Sequence, residues 1–262
     1  MPGREPMNPR GGQFALGGTV RGWTALEDPS ARQQRLLRRC YRGLEPRALS
    51  RYGVRQWAAP LPGVPVVVKD PFALASVPAV ARCTGARPVV VYRHPGAVLA
   101  SYRRMGWTAD TAEVRALPGG PAGPAPRDDV EAMAEFWTHL HQRVLRWLPE
   151  VPGALVVSHA ELALGGAPAL DALLRACGLR RCGPGDGRPP STRPAGPGGT
   201  RREGTGEPAR GALHGFARAA DEVAEGWRSR LRPGETARLE AAAAEVLAAL
   251  DAVRLRLPGD VT

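Results

Sequence analysis

Lysine is almost missing from this chain: of 36 basic residues only Lys69 is lysine, and the other 35 are arginine. A GC-rich coding sequence produces such a bias, so the formal net charge of +11 does not by itself point to an anionic partner. Two readings of it stand, a solvated basic surface and an anion-binding one, because arginine forks match phosphate and sulfate geometry. Aromatic residues are scarce at 5%, which leaves few platforms for stacking bases. The arginines are also spread along the chain and not gathered into one stripe, so nucleic-acid binding is the weaker expectation. No run approaches the roughly 18 consecutive apolar residues of a membrane-spanning helix. The opening MPGREPMNPRGG has no apolar core of the secretory kind. Cys40, Cys83, Cys177 and Cys182 are therefore expected as reduced thiols of a cytoplasmic protein. Only Cys177 and Cys182 lie close together, no CxxC is present, and no metal site is expected.

The 262 residues are 43% hydrophobic and 23% charged, a globular balance with enough chain for one good core. A single α/β domain over 1–262 is expected. Residues 117–127 and 183–211, rich in Gly and Pro, read as mobile loops within it. Residues 30–43 read as a helix capped by Ser30. The short β-branched runs 64–69 (VPVVVK), 87–92 (RPVVVY) and 154–158 (ALVVS) have the look of buried parallel strands. Helices are expected from Asp70 to about Arg82, interrupted at Pro78, and from Pro95 to about Met105. Another is expected over 129–148, with Val130, Met133, Trp137, Leu140, Val144 and Leu148 on one stripe. Further helices are expected at 167–179, 216–231 and 234–252. Alternating strands and helices imply βαβ units and a parallel sheet covered on both sides.

Ligands of open parallel sheets bind beyond the carboxyl ends of the strands. Lys69 and Arg93 each close one of the expected strands. In the helix that follows Arg93, Val98, Tyr102 and Met105 form an apolar face expected to pack on the sheet. Ala97, Ser101 and Arg104 form another, a small residue, a hydroxyl and a guanidinium in a row. With Arg93 at the helix entrance this face could hold a phosphate dianion through charge-assisted hydrogen bonds; it could equally be a surface helix with ordinary arginines.

The string Arg93-x-Pro95-x-x-x-x-x-Ser101-x-x-Arg104 resembles the 3′-phosphate-binding segment of sulfotransferases that use 3′-phosphoadenosine 5′-phosphosulfate (PAPS). RHPGAVLASYRRMGW is similar to the form found in bacterial members, in which a strand ending in Lys-Asp-Pro lies upstream, as KDPFAL does here. ALVVSHAEL followed by ALDALLRACGL resembles the family's strand, Tyr-Glu-Asp-Leu-like turn and short helix, and EGWRSRLRPGETARLE its C-terminal segment. These segments run in the family's order over about residues 5–255.

The resemblance implies a P-loop-NTPase-like parallel sheet flanked by helices, with PAPS as co-substrate and no metal. It implies transfer of the sulfuryl group to a hydroxyl or amine of a small-molecule, glycan or lipid acceptor, with no nucleic-acid partner and no integral membrane contact. Arg93 and Ser101 match the 3′-phosphate ligands, with Arg104 beside them. Lys69 matches a basic residue beside the phosphosulfate, where it would stabilise charge growing on the bridging oxygen. Glu5, in EPMNP, matches the position of a general base. Asp70 is expected to cap a helix, His94 to touch nucleotide or cap, and His159 to brace the fold. His139 and His141, two apart on a helix, cannot share a face as a metal pair.

The chain departs from the family in one respect. No Gly-x-x-Arg-Ser-Gly-Thr-like loop and no GxxxxGK[ST] occurs in it, so the strand–loop–helix unit that would hold the 5′-phosphosulfate is missing from these 262 residues. In the family that unit directly precedes the EPxNP-like segment, which begins here at Glu5. The expectation is that Met1 is an internal methionine of a longer reading frame. The rivals are a non-catalytic remnant that binds adenosine 3′,5′-bisphosphate, and an arginine-rich nucleic-acid-binding protein.

Overall fold

The computed structural model describes Trp23 and residues 25–42, 44–45, 66–70, 72–180 and 219–258. The described residues are α/β, mostly helical, with a two-stranded parallel sheet. Helix α1 (Ala31–Tyr41) starts where Ser30 and Gln33 cap each other, the Ser30 N–H donating to Gln33 Oε1 at 2.8 Å. It packs by Leu37 and Cys40 on Val80 of α2 (Val77–Thr84). A short 3-10 turn (Ala73–Ser76) leads into α2, and Pro78 sits in the first turn of α2, where its missing N–H costs nothing. The expected break at Pro78 is thus a junction between two helix types.

Strand β1 (Val89–Tyr92) is followed by α3 (Pro95–Met105), α4 (Thr111–Arg115) and α5 (Asp129–Trp147) before the chain returns as β2 (Leu155–Ser158). The strands pair in parallel with Val89 opposite Leu155 and Tyr92 opposite Ser158. After β2 come α6 (His159–Leu164), α7 (Gly166–Ala176), α8 (Ala220–Glu225), a 3-10 turn (Arg228–Arg230) and α9 (Pro233–Val253). Helix α9 lies along α5, turning Leu239, Ala243, Val246 and Leu250 inward at helical spacing to meet Val130, Met133, Trp137, Leu140 and Val144.

The strand expected over 64–69 does not form: residues 66–70 are irregular, and Val66 and Val67 are exposed. Among the described residues its β-branched residues meet no partner edge, and propensity without a partner does not make a strand. Lys69 is accordingly an exposed residue of an irregular segment, not the end of a strand. The sheet is covered less evenly than expected. Val156 and Val157 of β2 are buried on both faces, the latter against Ala169 and Leu173 of α7. In β1 only Val90 and Tyr92 are buried, and Val91 stays 46% exposed.

Loop 117–127 is anchored at several points despite its composition. Arg115 donates to the carbonyls of Gly123 (2.9 Å) and Pro124 (2.6 Å), and Arg143 to that of Pro118 (2.7 Å). The loop expected over 183–211 lies outside the described residues. Among the described residues no helix is long and apolar enough to cross a membrane.

Candidate functional site

Everything that shapes the site begins where β1 turns into α3. The Trp137 indole N–H donates to the Arg93 carbonyl at 2.8 Å and fixes the strand's exit. His94 caps α3: its Nδ1 accepts the Gly96 N–H at 3.2 Å, which requires that nitrogen to be unprotonated. Burial pushes the His94 pKa down; nearby Glu240 opposes the shift and Arg228 adds to it. Of the two roles open to His94, the structure displays capping. Pro95 follows at the first helical position.

The buried face of α3 is made of Pro95, Gly96, Ala97, Leu99 and Ala100. Val98 and Tyr102 are only half-buried against the core. The expected apolar face is therefore rotated toward the smallest side chains. The reason is close approach: a Cβ on Gly96 would collide with the Trp227 ring.

Ala97 and Ala100 floor a hollow of about 30 Å³ whose rim carries Arg93, Ser101 and Arg104. The three side chains singled out from the sequence thus face one space. Two further charged groups share it, Arg230 and Glu222, with Arg230 Nη2 3.7 Å from Glu222 Oε1. Both come from the C-terminal segment, over 100 positions away in sequence; Arg230 lies within the string EGWRSRLRPGETARLE and Glu222 just before it, but nothing local gave either a place in the site. Three guanidiniums, a hydroxyl and one carboxylate line it, and guanidinium and hydroxyl donors of this kind are able to hold an oxyanion. Among the described residues Arg104 has no polar partner, whereas the adjacent Arg103 donates to Asp129 at 2.7 Å and to Glu235 at 3.0 Å.

A second cavity, about 240 Å³, opens at the carboxyl ends of both strands. It shares Arg93, Ala97 and Trp227 with the smaller hollow. His159, the first residue of α6, faces it and is pushed down to about 4 by burial and by Arg93, so it is a neutral imidazole near neutrality. At the far wall the Tyr92 hydroxyl donates to Asp251 Oδ1 at 2.5 Å, and burial and this bond push the phenol pKa up. Trp227 forms a side of the cavity, its ring stacked on His94 with centroids 4.4 Å apart.

The remaining candidates lie elsewhere. Lys69 lines neither hollow. Asp70 Oδ1 accepts the Phe72 N–H at 2.9 Å, a local turn contact two residues on; it is not the expected helix cap, because the 3-10 turn begins after Phe72 and α2 after Ser76. Glu5 lies outside the described residues. His141 is buried, its ring stacked on Trp137 with centroids 4.0 Å apart, and its Nδ1–H donates to the Trp137 carbonyl at 2.8 Å, so it belongs to the core. Among the described residues no group of three or more His, Cys, Asp or Glu side chains could hold a metal ion.

The chain matches no family model, no curated protein and no solved structure.

Proposed function

We propose that this chain is a PAPS-dependent sulfotransferase in which Arg93, Ser101 and Arg104 hold the 3′-phosphate. The observation that carries the reading is the convergence of these three side chains on one hollow at the carboxyl end of β1. That is where a P-loop-NTPase-like parallel sheet presents its ligand. In this reading the cavity of about 240 Å³ takes the nucleoside. It is smaller than the roughly 300–1,000 Å³ of pockets for whole drug-sized ligands, which suits one portion of a larger molecule. The acceptor oxygen or nitrogen attacks sulfur in line as the bond to the bridging phosphate oxygen breaks, and positioning supplies most of the rate. Lys69 stabilises the leaving oxygen, and Glu5 takes the acceptor's proton. A cytoplasmic location belongs to the same reading.

Calorimetry with adenosine 3′,5′-bisphosphate tests the binding half. The expected result is saturable binding by the unaltered chain and its loss in Arg93→Ala; equal binding by both overturns the reading. Turnover with labelled PAPS tests the transfer half. Binding without transfer favours the second reading, a non-catalytic nucleotide binder, which gains support from Lys69 lining neither hollow.

A further inference from the structure

We propose that Arg230 is a ligand-binding residue of the small hollow and that Glu222 is its built-in competitor, occupying the guanidinium until an oxyanion displaces the carboxylate. The proposal rests on reading that hollow as an oxyanion site and adds residues and a regulation that the reading does not contain. Arg230 belongs to the 3-10 turn Arg228–Arg230, and its backbone N–H donates to the Trp227 carbonyl at 3.0 Å. Trp227 is wedged against Gly96 and stacked on His94, so the turn is clamped to the first turn of α3. The guanidinium is thereby delivered to the rim that Arg93, Ser101 and Arg104 occupy.

The Arg230–Glu222 contact is loose. At 3.7 Å it exceeds hydrogen-bond reach, and the two side chains are 41% and 48% exposed. Such a pair is worth little in water, so exchanging its carboxylate for a more highly charged anion is easy. Other arginines nearby are held far more firmly. Arg228 meets Glu225 at 2.5 Å, Arg238 meets Asp128 at 2.8 Å, and Arg103 bridges two carboxylates. Among the described residues Arg230 has no closer carboxylate than this loose one. Glu222 is the one carboxylate lining the hollow beside the guanidiniums of Arg93, Arg104 and Arg230, and it lies against Arg230 until an anion takes its place.

The test is titration calorimetry at low salt with two probes, inorganic pyrophosphate and adenosine 3′,5′-bisphosphate. Arg230→Ala, Glu222→Gln and, as a control for net charge alone, Arg35→Ala on the exposed side of α1 are compared with the unaltered chain. Loss of a charge-assisted hydrogen bond corresponds to about tenfold or more in Kd, so Arg230→Ala is expected to weaken both probes by that factor. Glu222→Gln is expected to tighten both several-fold, a gain that a merely damaged fold cannot imitate, and Arg35→Ala to leave both unchanged. The proposal is overturned if Arg230→Ala behaves like Arg35→Ala, if Glu222→Gln weakens binding or leaves it unchanged, or if the unaltered chain binds neither probe. Its failure is separable from that of the functional reading. Sensitivity to Arg93→Ala without sensitivity to Arg230→Ala removes this proposal alone. Sensitivity to Arg230→Ala with no turnover of PAPS removes sulfuryl transfer and leaves this proposal standing.

Discussion

Gly96 and Trp227 approach so closely that a Cβ at position 96 would collide with the edge of the indole ring, and any side chain there would force the ring to move. This contact joins the β1–α3 segment, which carries Arg93, Ser101 and Arg104, to the C-terminal segment that carries Glu222 and Arg230. The two halves of the small hollow are therefore coupled through packing.

Gly96→Ala is expected to cost roughly 1–3 kcal/mol through overpacking, since the ring must move and its neighbours with it. Urea unfolding followed by tryptophan fluorescence measures this. Anion affinity should fall in parallel, because displacing Trp227 displaces the turn that bears Arg230. A fully stable variant with unchanged affinity would show that the two halves are not coupled.

Lys69→Ala should leave the Kd for adenosine 3′,5′-bisphosphate unchanged, since Lys69 lines neither hollow. If it stabilises the leaving oxygen, turnover should drop by about 10²-fold or more, the usual scale for removing one transition-state charge stabiliser. Parallel binding and single-turnover measurements decide. Equal turnover removes Lys69 from the mechanism.

Stability should decline with acid in two stages. Burial pushes His141 down to about 4, below its ordinary value near 6.5. The unfolded chain therefore binds the extra proton first, and stability falls as pH drops from about 6.5 toward 4. Glu235 is held down at about 2 by Arg103, with the Arg232 N–H adding to the shift. Its contribution is present above the unfolded value and is lost as pH falls through about 4.5 toward 2. His159, also pushed down to about 4, shares this first stage, so denaturant unfolding from pH 7 to 3 should show it reduced but not abolished in His141→Gln. An unchanged slope between pH 6.5 and 4 would remove His141 as its cause.

Leu239→Ala should cost about 2–5 kcal/mol, as expected for emptying a fully buried leucine site. Thermal unfolding checks this, and a loss below about 1 kcal/mol would mean the α5–α9 core is looser than described.

Local patterns foretold much of the helical framework. Ser30, Pro95 and the apolar stripe from Val130 to Val144 mark helix starts and faces by rules that act within a few residues, and α1, α3 and α5 obey them. The stretch around Val66 shows where such rules stop. Its β-branched residues favour extension, yet a strand exists only where another strand meets it, and that is decided by distant chain.

The amino-acid order alone determined that Arg93, Ser101 and Arg104 fall on one side of a strand–helix junction, because helical spacing is a local geometric fact. Only the tertiary structure decided that Arg230 and Glu222 join them, because Trp227 packs where Gly96 has no side chain. Contacts between residues over 100 positions apart are set by how cores close, and closure is a property of the whole chain.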